Sequence, residues 1–160
     1  FQELDGVLSV ESGYAGGNTP NPNYEEICTE TTGHAEVCQL RFDPSRIGYQ
    51  DLLEVFWKTH DPTTLNRQGN DMGTQYRSVI FYHDERQKDL AIHYKKALDD
   101  SGAWDNPIVT AIDPFTAFYK AEDYHQNYYR SNPSAGYCLR VIRPKMEKFR
   151  KAFKEKLKKN

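Results

Sequence analysis

The sequence has no long apolar run: nowhere do about 18 consecutive apolar residues occur, the length that a membrane-spanning helix needs. Cysteine is scarce, and the three cysteines form neither a C-x-x-C pair nor a Cys/His zinc spacing, which argues against a disulfide framework and a structural zinc site. A glycosylation acceptor is also missing, because Pro133 blocks the only Asn-x-Ser, at Asn132. The formal net charge of −2 gives no field that favours nucleic acid. We therefore expect a protein of a reducing, cytoplasmic setting that uses no membrane, nucleic acid, metal or cofactor.

Aromatic residues are abundant instead, at 13% of the chain, and 11 of them are tyrosines. A tyrosine has an apolar ring and a polar hydroxyl, so a surplus indicates half-buried, hydrogen-bonded surfaces. A length of 160 residues predicts a single domain, 1–160, since a domain of about 150 residues buries roughly 68–70% of the surface of its unfolded chain.

The periodicity of apolar residues predicts an α+β fold, namely a two-layer α/β sandwich with a ferredoxin-like mixed sheet and long irregular loops. Predicted strands cover Val7–Tyr14, His34–Phe42, Ser78–Tyr82, Ile108–Ile112 and Leu139–Ile142. Three helices are predicted. The first covers Tyr49–His60, the second is capped by Asp84 and reaches about Asp100, and the third covers the C-terminal residues after Pro144.

The C-terminal segment 143–160 is strongly basic, with nine Lys/Arg against two Glu. A basic tail can bind an anionic partner. Its apolar residues recur at helical spacing, however: Met146, Phe149, Phe153 and Leu157. This pattern favours an amphipathic helix whose lysine face is solvated.

Three irregular stretches, 13–33, 61–76 and 113–137, are longer than the structureless loops usual in compact domains. They contain many tyrosines, which a disordered segment would lack. We interpret them as ordered loops that build a tyrosine-walled site; the alternative is that they only wrap the core. Among these tyrosines are Tyr14, Tyr24, Tyr76, Tyr119, Tyr124, Tyr128 and Tyr129.

Glu36 is the most informative single residue. It begins a strand face that Cys38, Leu40 and Phe42 continue. A carboxyl group on an apolar face is desolvated, which raises its pKa and suits it to act as a general acid. The alternative is a glutamate at the end of a strand that points into solvent.

Other polar residues in the loops admit two interpretations each. The segment 68–77 is dense in hydrogen-bonding side chains, which suits either a ligand or a tight turn. His34 and His125 could transfer protons or be structural. Cys138 ends a loop of small residues and could exchange disulfides. Cys38 is expected to be a small core residue. Cys28 lies in a loop, and no neighbouring residue clearly activates its thiol.

Seven motifs, in order and over nearly the whole chain, resemble the methionine sulfoxide reductase A family. They are Gly13-Tyr14-Ala15-Gly16-Gly17, Asn21-Pro22-Asn23-Tyr24, Thr32-Gly33-His34-Ala35-Glu36, His60-Asp61-Pro62-Thr63-Thr64, Arg67-Gln68-Gly69-Asn70-Asp71, Gly73-Thr74-Gln75-Tyr76-Arg77-Ser78 and Gly136-Tyr137-Cys138. The family reduces the S epimer of methionine sulfoxide, free or in proteins, to methionine.

The resemblance implies roles for individual residues. Tyr24, Glu36 and Tyr76 would hydrogen-bond the sulfoxide oxygen, and Glu36 would supply the proton. Asp71 would organise the site and its water. Within the stretch 125–128, His125 and Tyr128 would contact the substrate, and Cys138 would be the recycling cysteine. Thioredoxin would be the reductant, through a sulfenic acid and a disulfide, and the enzyme would be a monomer.

The sequence departs from the family in one respect. The family nucleophile is the cysteine of a Gly-Cys-Phe-Trp motif, a few residues upstream of the segment that matches Leu4-Asp5-Gly6-Val7, and the 160 residues do not contain it. We therefore expect the 160 residues alone to be an N-terminally incomplete, inactive domain. Two alternatives follow for this stretch: a non-catalytic module that binds methionine-containing peptides, or a thiol–disulfide exchange protein that uses Cys28 and Cys138.

Overall fold

The computed structural model describes residues 1–126 and 143–158. Seven strands lie within these residues: β1 Val7–Ala15, β2 Ala35–Phe42, β3 Arg67–Gln68, β4 Asp71–Met72, β5 Val79–Tyr82, β6 Ala111–Pro114 and β7 Phe118–Lys120. Four α-helices accompany them: α1 Tyr24–Cys28, α2 Tyr49–Thr59, α3 Glu85–Asp100 and α4 Arg143–Ala152. In this part of the chain, no helix combines the length and apolarity that a bilayer crossing requires.

The strands form three small sheets. β1 lies between β2 and β7 and is antiparallel to both, and its register pairs Tyr14 with Glu36 on one side and with Tyr119 on the other. β3 and β4 form a short antiparallel hairpin, and β5 and β6 are parallel. A parallel pair needs a crossover connection, which α3 provides. The α+β class is confirmed, with parallel and antiparallel pairing both present.

Local sequence signals place the helix ends. The side chain of Asp84 accepts the backbone N–H of Gln87 at 2.8 Å and so caps α3. The short helix α1 has a complete capping box, in which Asn23 and Glu26 each accept the other's backbone N–H. The predicted bounds of α2 and α3 are therefore close to the observed ones.

Three apolar clusters form the core of the described residues, and the smallest consists of Tyr14, Ile27 and Ala121. The first joins the N-terminal segment and β1 to α2 and α4, through Leu4, Val7, Ile47, Leu52, Val55, Phe149 and Phe153. The second joins α2 and α3 to the residues before β6, through Leu53, Trp57, Ala91 and Ile108. Burial of Phe149 and Phe153 confirms the predicted apolar face of the C-terminal helix.

The predicted strand Ile108–Ile112 is displaced in the structure, where β6 begins at Ala111. The backbone N–H of Ile108 donates to Asp99 Oδ1 at 3.2 Å, and that of Val109 donates to the Pro62 carbonyl at 2.8 Å. These amides are therefore already bonded outside the sheet, and pairing with β5 starts later. The predicted strand Leu139–Ile142 lies outside the described residues.

The three long irregular stretches contain more regular structure than predicted. They include α1, the β3–β4 hairpin, β7 and two 3₁₀ turns, at Thr74–Tyr76 and Asp123–His125. Each of these elements is five residues or shorter, which is too short for a periodicity to be recognised in the sequence.

Candidate active site

Glu36 lies on β2 and faces a cavity of about 720 Å³. Cys38, Leu40 and Phe42 line the same cavity, and so do Val37 and Gln39 between them, so the cavity runs along β2 rather than along one alternating face. Its other walls come mainly from β1, α2 and β5. The expectation that Cys38 is a packed core residue is wrong: the side chain is exposed, since this face of β2 borders an open cavity.

The Glu36 side chain is exposed to the cavity. Desolvation by the cavity walls, and then the negative charge of Asp71, raise the pKa of its carboxyl. Both effects disfavour the carboxylate and so keep a proton on Glu36 at higher pH than in water. The expected rise in pKa is therefore present in the structure. A protonated carboxyl group in a cavity of this kind can donate a proton to a bound oxygen.

Tyr76 ends a 3₁₀ turn, Thr74–Tyr76, that long-range contacts hold in place. The backbone N–H of Thr74 donates to Glu30 Oε1 at 2.9 Å, and the Arg77 guanidinium donates to the Thr74 carbonyl at 3.0 Å and to the Gly33 carbonyl at 2.9 Å. Burial and the nearby charge of Glu36 raise the pKa of Tyr76 to about 12. Its hydroxyl therefore stays protonated and can donate a hydrogen bond beside Glu36.

Gly73 precedes this turn and has a backbone conformation that favours glycine, with φ of 142°. A Cβ atom there would lie 2.3 Å from Oε1 of Gln75 and 3.0 Å from Oε1 of Glu30. The glycine therefore leaves room for the Glu30 carboxylate to reach the backbone N–H of Thr74. Of the two interpretations of segment 68–77, the structure shows the tight turn, and it leads into a residue of the candidate site.

Asp71 is exposed in β4. Hydrogen bonds between Gln68 and Asp61 hold the β3–β4 hairpin that carries it. The side-chain amide of Gln68 donates to the Asp61 carbonyl at 2.6 Å, and Gln68 Oε1 accepts the Asp61 N–H at 3.2 Å. The charge of Asp71 raises the pKa of both Glu36 and Tyr76. Asp71 therefore lies close to both residues in the fold, although it is far from Glu36 in sequence.

Tyr24 is the first residue of α1 and is 37% exposed. The neighbouring thiol of Cys28, one turn later, is the main cause of the raised pKa of Tyr24. The charge of Glu36 contributes to the same rise. The structure thus brings Tyr24, Tyr76, Glu36 and Asp71 into one electrostatic neighbourhood, and the exposed thiol of Cys28 lies at its edge.

His125 lies between two tyrosine rings and lines the same cavity. Its ring centroid is 5.1 Å from that of Tyr24 and 4.2 Å from that of Tyr124. The turn 123–125 is fastened to β1 by Gln126, whose side-chain amide donates to the Ser12 carbonyl at 2.8 Å and accepts the Ser12 N–H at 2.9 Å.

His34 is a structural residue rather than a proton-transfer group. The ring is buried; Nδ1 accepts the Gly17 N–H at 2.9 Å, and Nε2 bonds the Thr19 carbonyl at 2.7 Å. Both ring nitrogens are therefore occupied in holding the loop between β1 and α1.

Two predicted site residues, Tyr128 and Cys138, lie outside the described residues.

The sequence analysis missed Glu122, whose carboxylate contacts several residues of the site. A glutamate in an irregular loop has no sequence pattern that distinguishes it from an ordinary surface charge. Within residues 1–126 and 143–158, no group of three His, Cys, Asp or Glu side chains could hold a metal ion.

Known proteins resemble this chain over nearly its whole length. A family model described as peptide methionine sulfoxide reductase matches residues 1–157. A curated protein of Natronomonas pharaonis, named peptide methionine sulfoxide reductase MsrA, is 54% identical over 157 residues, which are 98% of this chain and 88% of that protein.

Solved structures agree with the sequence match. Mxr1 from Saccharomyces cerevisiae in reduced form has a TM-score of 0.77 and 37% identity, over 84% of this chain and 76% of that chain. Mxr1 in complex with Trx2 has a TM-score of 0.53 and 28% identity, over 78% of this chain and 68% of that chain. Similarity in both sequence and fold leads to one conclusion: this chain belongs to the peptide methionine sulfoxide reductase family.

Proposed function

We propose that this chain reduces the S epimer of methionine sulfoxide, free or in proteins, to methionine, and that Glu36 is the proton donor. Family membership supports the reaction. The observation that supports the role of Glu36 is its raised pKa, in a cavity that it shares with Tyr76 and beside the charge of Asp71. A sulfoxide oxygen carries negative charge and gains more as its bond to sulfur breaks, so a proton donor at this position lowers the barrier.

In the proposed reaction a cysteine thiolate attacks the sulfoxide sulfur while Glu36 gives its proton to the oxygen. This attack forms a bond between the cysteine sulfur and the substrate sulfur. The protonated oxygen then moves from the substrate sulfur to the cysteine sulfur as the S–O bond of the substrate and the new S–S bond both break, so methionine leaves with its sulfur reduced and the cysteine becomes a sulfenic acid. The attacking cysteine is that of the family's Gly-Cys-Phe-Trp motif, which the 160 residues do not contain.

The tyrosines and Asp71 support this step in the proposal. Tyr24 and Tyr76 keep protonated hydroxyls, since the pKa of each is raised, and donate to the sulfoxide oxygen. Asp71 keeps the proton on Glu36 and organises water. His125 and Tyr128 contact the rest of the substrate.

Recycling needs a second thiol and an external dithiol. Cys138 condenses with the sulfenic acid to give a disulfide and water, and thioredoxin reduces that disulfide by exchange. The complex of yeast Mxr1 with Trx2 supports a thioredoxin as the reductant. We further propose that the protein is a monomer of the cytoplasm, where thioredoxin keeps thiols reduced.

The test of Glu36 is Glu36→Gln, in the protein expressed from its natural start codon. The amide keeps the shape but has no transferable proton, so the reduction step should slow by about 10²-fold or more. Methionine formed in a single turnover is the measurement, and Glu85→Gln, at an exposed position of α3, is the control. A Glu36→Gln rate within about threefold of the unchanged protein would assign Glu36 to structure.

The assignment of the nucleophile has its own test. Residues 1–160 expressed alone should give no methionine with dithiothreitol as reductant. Turnover by a chain that mass spectrometry shows to begin at Phe1 would assign the attack to one of its own three cysteines.

A further inference from the structure

Glu122 connects its own segment to β1 and α1, which are far away in sequence. It lies between β7 and the turn Asp123–His125. One carboxylate oxygen, Oε1, accepts the backbone N–H of Tyr24 at 3.0 Å. The other, Oε2, accepts the hydroxyl of Tyr14 at 3.5 Å and lies 3.3 Å from Nε2 of His125.

The bond to Tyr24 matters because α1 is only five residues long. A helix of this length does not hold its position through its own hydrogen bonds. Its capping box, between Asn23 and Glu26, is local and fixes the shape of the turn but not its place on the molecule. Glu122 and the buried side chain of Ile27 are what tie α1 to the rest of the fold.

The other contacts of Glu122 are longer than its bond to the Tyr24 N–H. Tyr14 is 2% exposed within β1, and burial together with the Glu122 charge raises its pKa, so its hydroxyl stays a donor. Nε2 of His125 lies 3.3 Å from Oε2 without a hydrogen bond to it, and the His125 ring is tilted against that of Tyr24. The 3.0 Å bond to the Tyr24 N–H is therefore the contact by which this carboxylate anchors α1.

We propose that Glu122 is a positioning residue for sulfoxide reduction, whose carboxylate holds the backbone of Tyr24 in place beside the substrate cavity. The inference rests on the proposed function, in which Tyr24 donates to the sulfoxide oxygen. A hydroxyl donor that shifts by about 1 Å can cost about 10²-fold in rate, so an anchor at the backbone of Tyr24 acts on the reaction without touching the substrate.

The test compares three variants of Glu122 in the protein expressed from its natural start codon. Glu122→Ala removes every contact, and kcat/KM for methionine sulfoxide should fall by about 10²-fold, mainly through kcat. Glu122→Gln keeps an oxygen that can accept the Tyr24 N–H and should restore most of the activity. Glu122→Asp keeps the charge but loses reach, and should resemble the alanine variant. Glu25→Gln, an exposed carboxyl of the same helix, is the matched control.

Hydrogen exchange at the backbone amide of Tyr24 gives a second readout that needs no activity. The first amide of a helix has no partner within the helix, so protection at this position reports the bond to Glu122 directly. We expect protection in the unchanged protein, in Glu122→Gln and in Glu25→Gln, and loss of protection in Glu122→Ala and Glu122→Asp.

A Tyr24→Phe background separates positioning from a general effect on folding. If Glu122 acts through Tyr24, then Glu122→Ala added to Tyr24→Phe should lower kcat/KM much less than it does alone. If Glu122→Ala does not fold, Glu122→Asp takes its place in both measurements.

Three outcomes would overturn the inference. The first is a kcat/KM within about threefold of the unchanged protein in both Glu122→Ala and Glu122→Asp. The second is full additivity of the effects of Glu122→Ala and Tyr24→Phe on kcat/KM. The third is hydrogen exchange at the Tyr24 amide that is the same in Glu122→Ala and Glu122→Asp as in the unchanged protein. Failure of the proposed function is distinct: the unchanged protein would then not reduce methionine sulfoxide, while exchange at Tyr24 would still report whether Glu122 anchors α1.

Discussion

The charge of Asp71, in the β3–β4 hairpin, raises the pKa of Glu36, on β2. The two carboxyl groups come from separate sheets, and their repulsion adds to the effect of desolvation on Glu36. One carboxyl group beside another favours the protonated form of the carboxyl whose pKa is raised.

Asp71→Asn should therefore change the pH dependence of the reaction. The proposed reaction needs protonated Glu36, so kcat/KM falls as the pH rises through the pKa of Glu36. Without the negative charge that pKa is lower, and the fall should begin at lower pH. A pH profile of kcat/KM measures the shift, with Asp89→Asn on α3 as control; a fall that stays in place or moves to higher pH would contradict the coupling.

Cys138→Ser should separate the two halves of the cycle. The first turnover should stay intact, with one methionine per enzyme in a burst without reductant. Turnover supported by thioredoxin should collapse, because thioredoxin reduces disulfides and the variant would hold only a sulfenic acid.

Cys28→Ser and Cys38→Ser are the comparison variants, and both should keep turnover with thioredoxin. Survival of that turnover in Cys138→Ser would mean that Cys28 recycles the enzyme or that the sulfenic acid is reduced directly. Because the thiol of Cys28 raises the pKa of Tyr24, an effect of Cys28→Ser on the burst itself would report on Tyr24 instead.

His60 should make the fold sensitive to mild acid. Its Nδ1–H donates to the Phe56 carbonyl, so Nε2 accepts the hydroxyl of Ser78 at 2.7 Å, and burial lowers the pKa of the ring. In the unfolded chain the neutral His60 ring takes up a proton near pH 6.5, whereas in the folded protein it does so only at lower pH. Because the unfolded state then binds more protons, the free energy of unfolding should fall as the pH drops below about 6.5.

Denaturant unfolding across this pH range, for the unchanged protein and His60→Asn, measures the effect. The asparagine variant should lose the part of the pH dependence that His60 contributes. His93→Asn, on the exposed face of α3, should keep it. Equal pH dependence in the unchanged protein and His60→Asn would contradict the prediction.

Gly17→Ala should destabilise the loop that leads to α1. A Cβ atom at Gly17 would lie 2.3 Å from the Thr32 carbonyl oxygen and 2.4 Å from the His34 nitrogen, both backbone atoms that cannot rotate away. We expect a loss of about 1–3 kcal/mol in the free energy of unfolding, the usual cost of overpacking. Gly48→Ala, where the Cβ would meet only the flexible side-chain amide of Gln50, should lose less.

Much of the scaffold was predictable because its signals are local. The alternation correctly predicted a strand at β2, which covers Ala35–Phe42, and Asp84 correctly marked the start of α3. Side-chain direction in a strand and capping of a helix depend on residues within a few positions, so a single sequence contains them.

Ile108 and Val109 show where such signals fail. Their apolar, β-branched side chains suit a strand, but their amides bond Asp99 and the Pro62 carbonyl, so pairing with β5 starts at Ala111. Which segment an amide meets is not encoded in its neighbours along the chain.

The sequence by itself determined the α+β class, the strand β2 that carries Glu36 and the order of the motifs that identify the family. Only the tertiary structure decided that Asp71 raises the pKa of Glu36, that Cys38 borders an open cavity, and that Glu122 anchors the backbone of Tyr24. Periodicity and capping act over one or two turns of chain, whereas desolvation, charge repulsion and an anchoring hydrogen bond depend on the distance between atoms whose segments meet only in the folded protein.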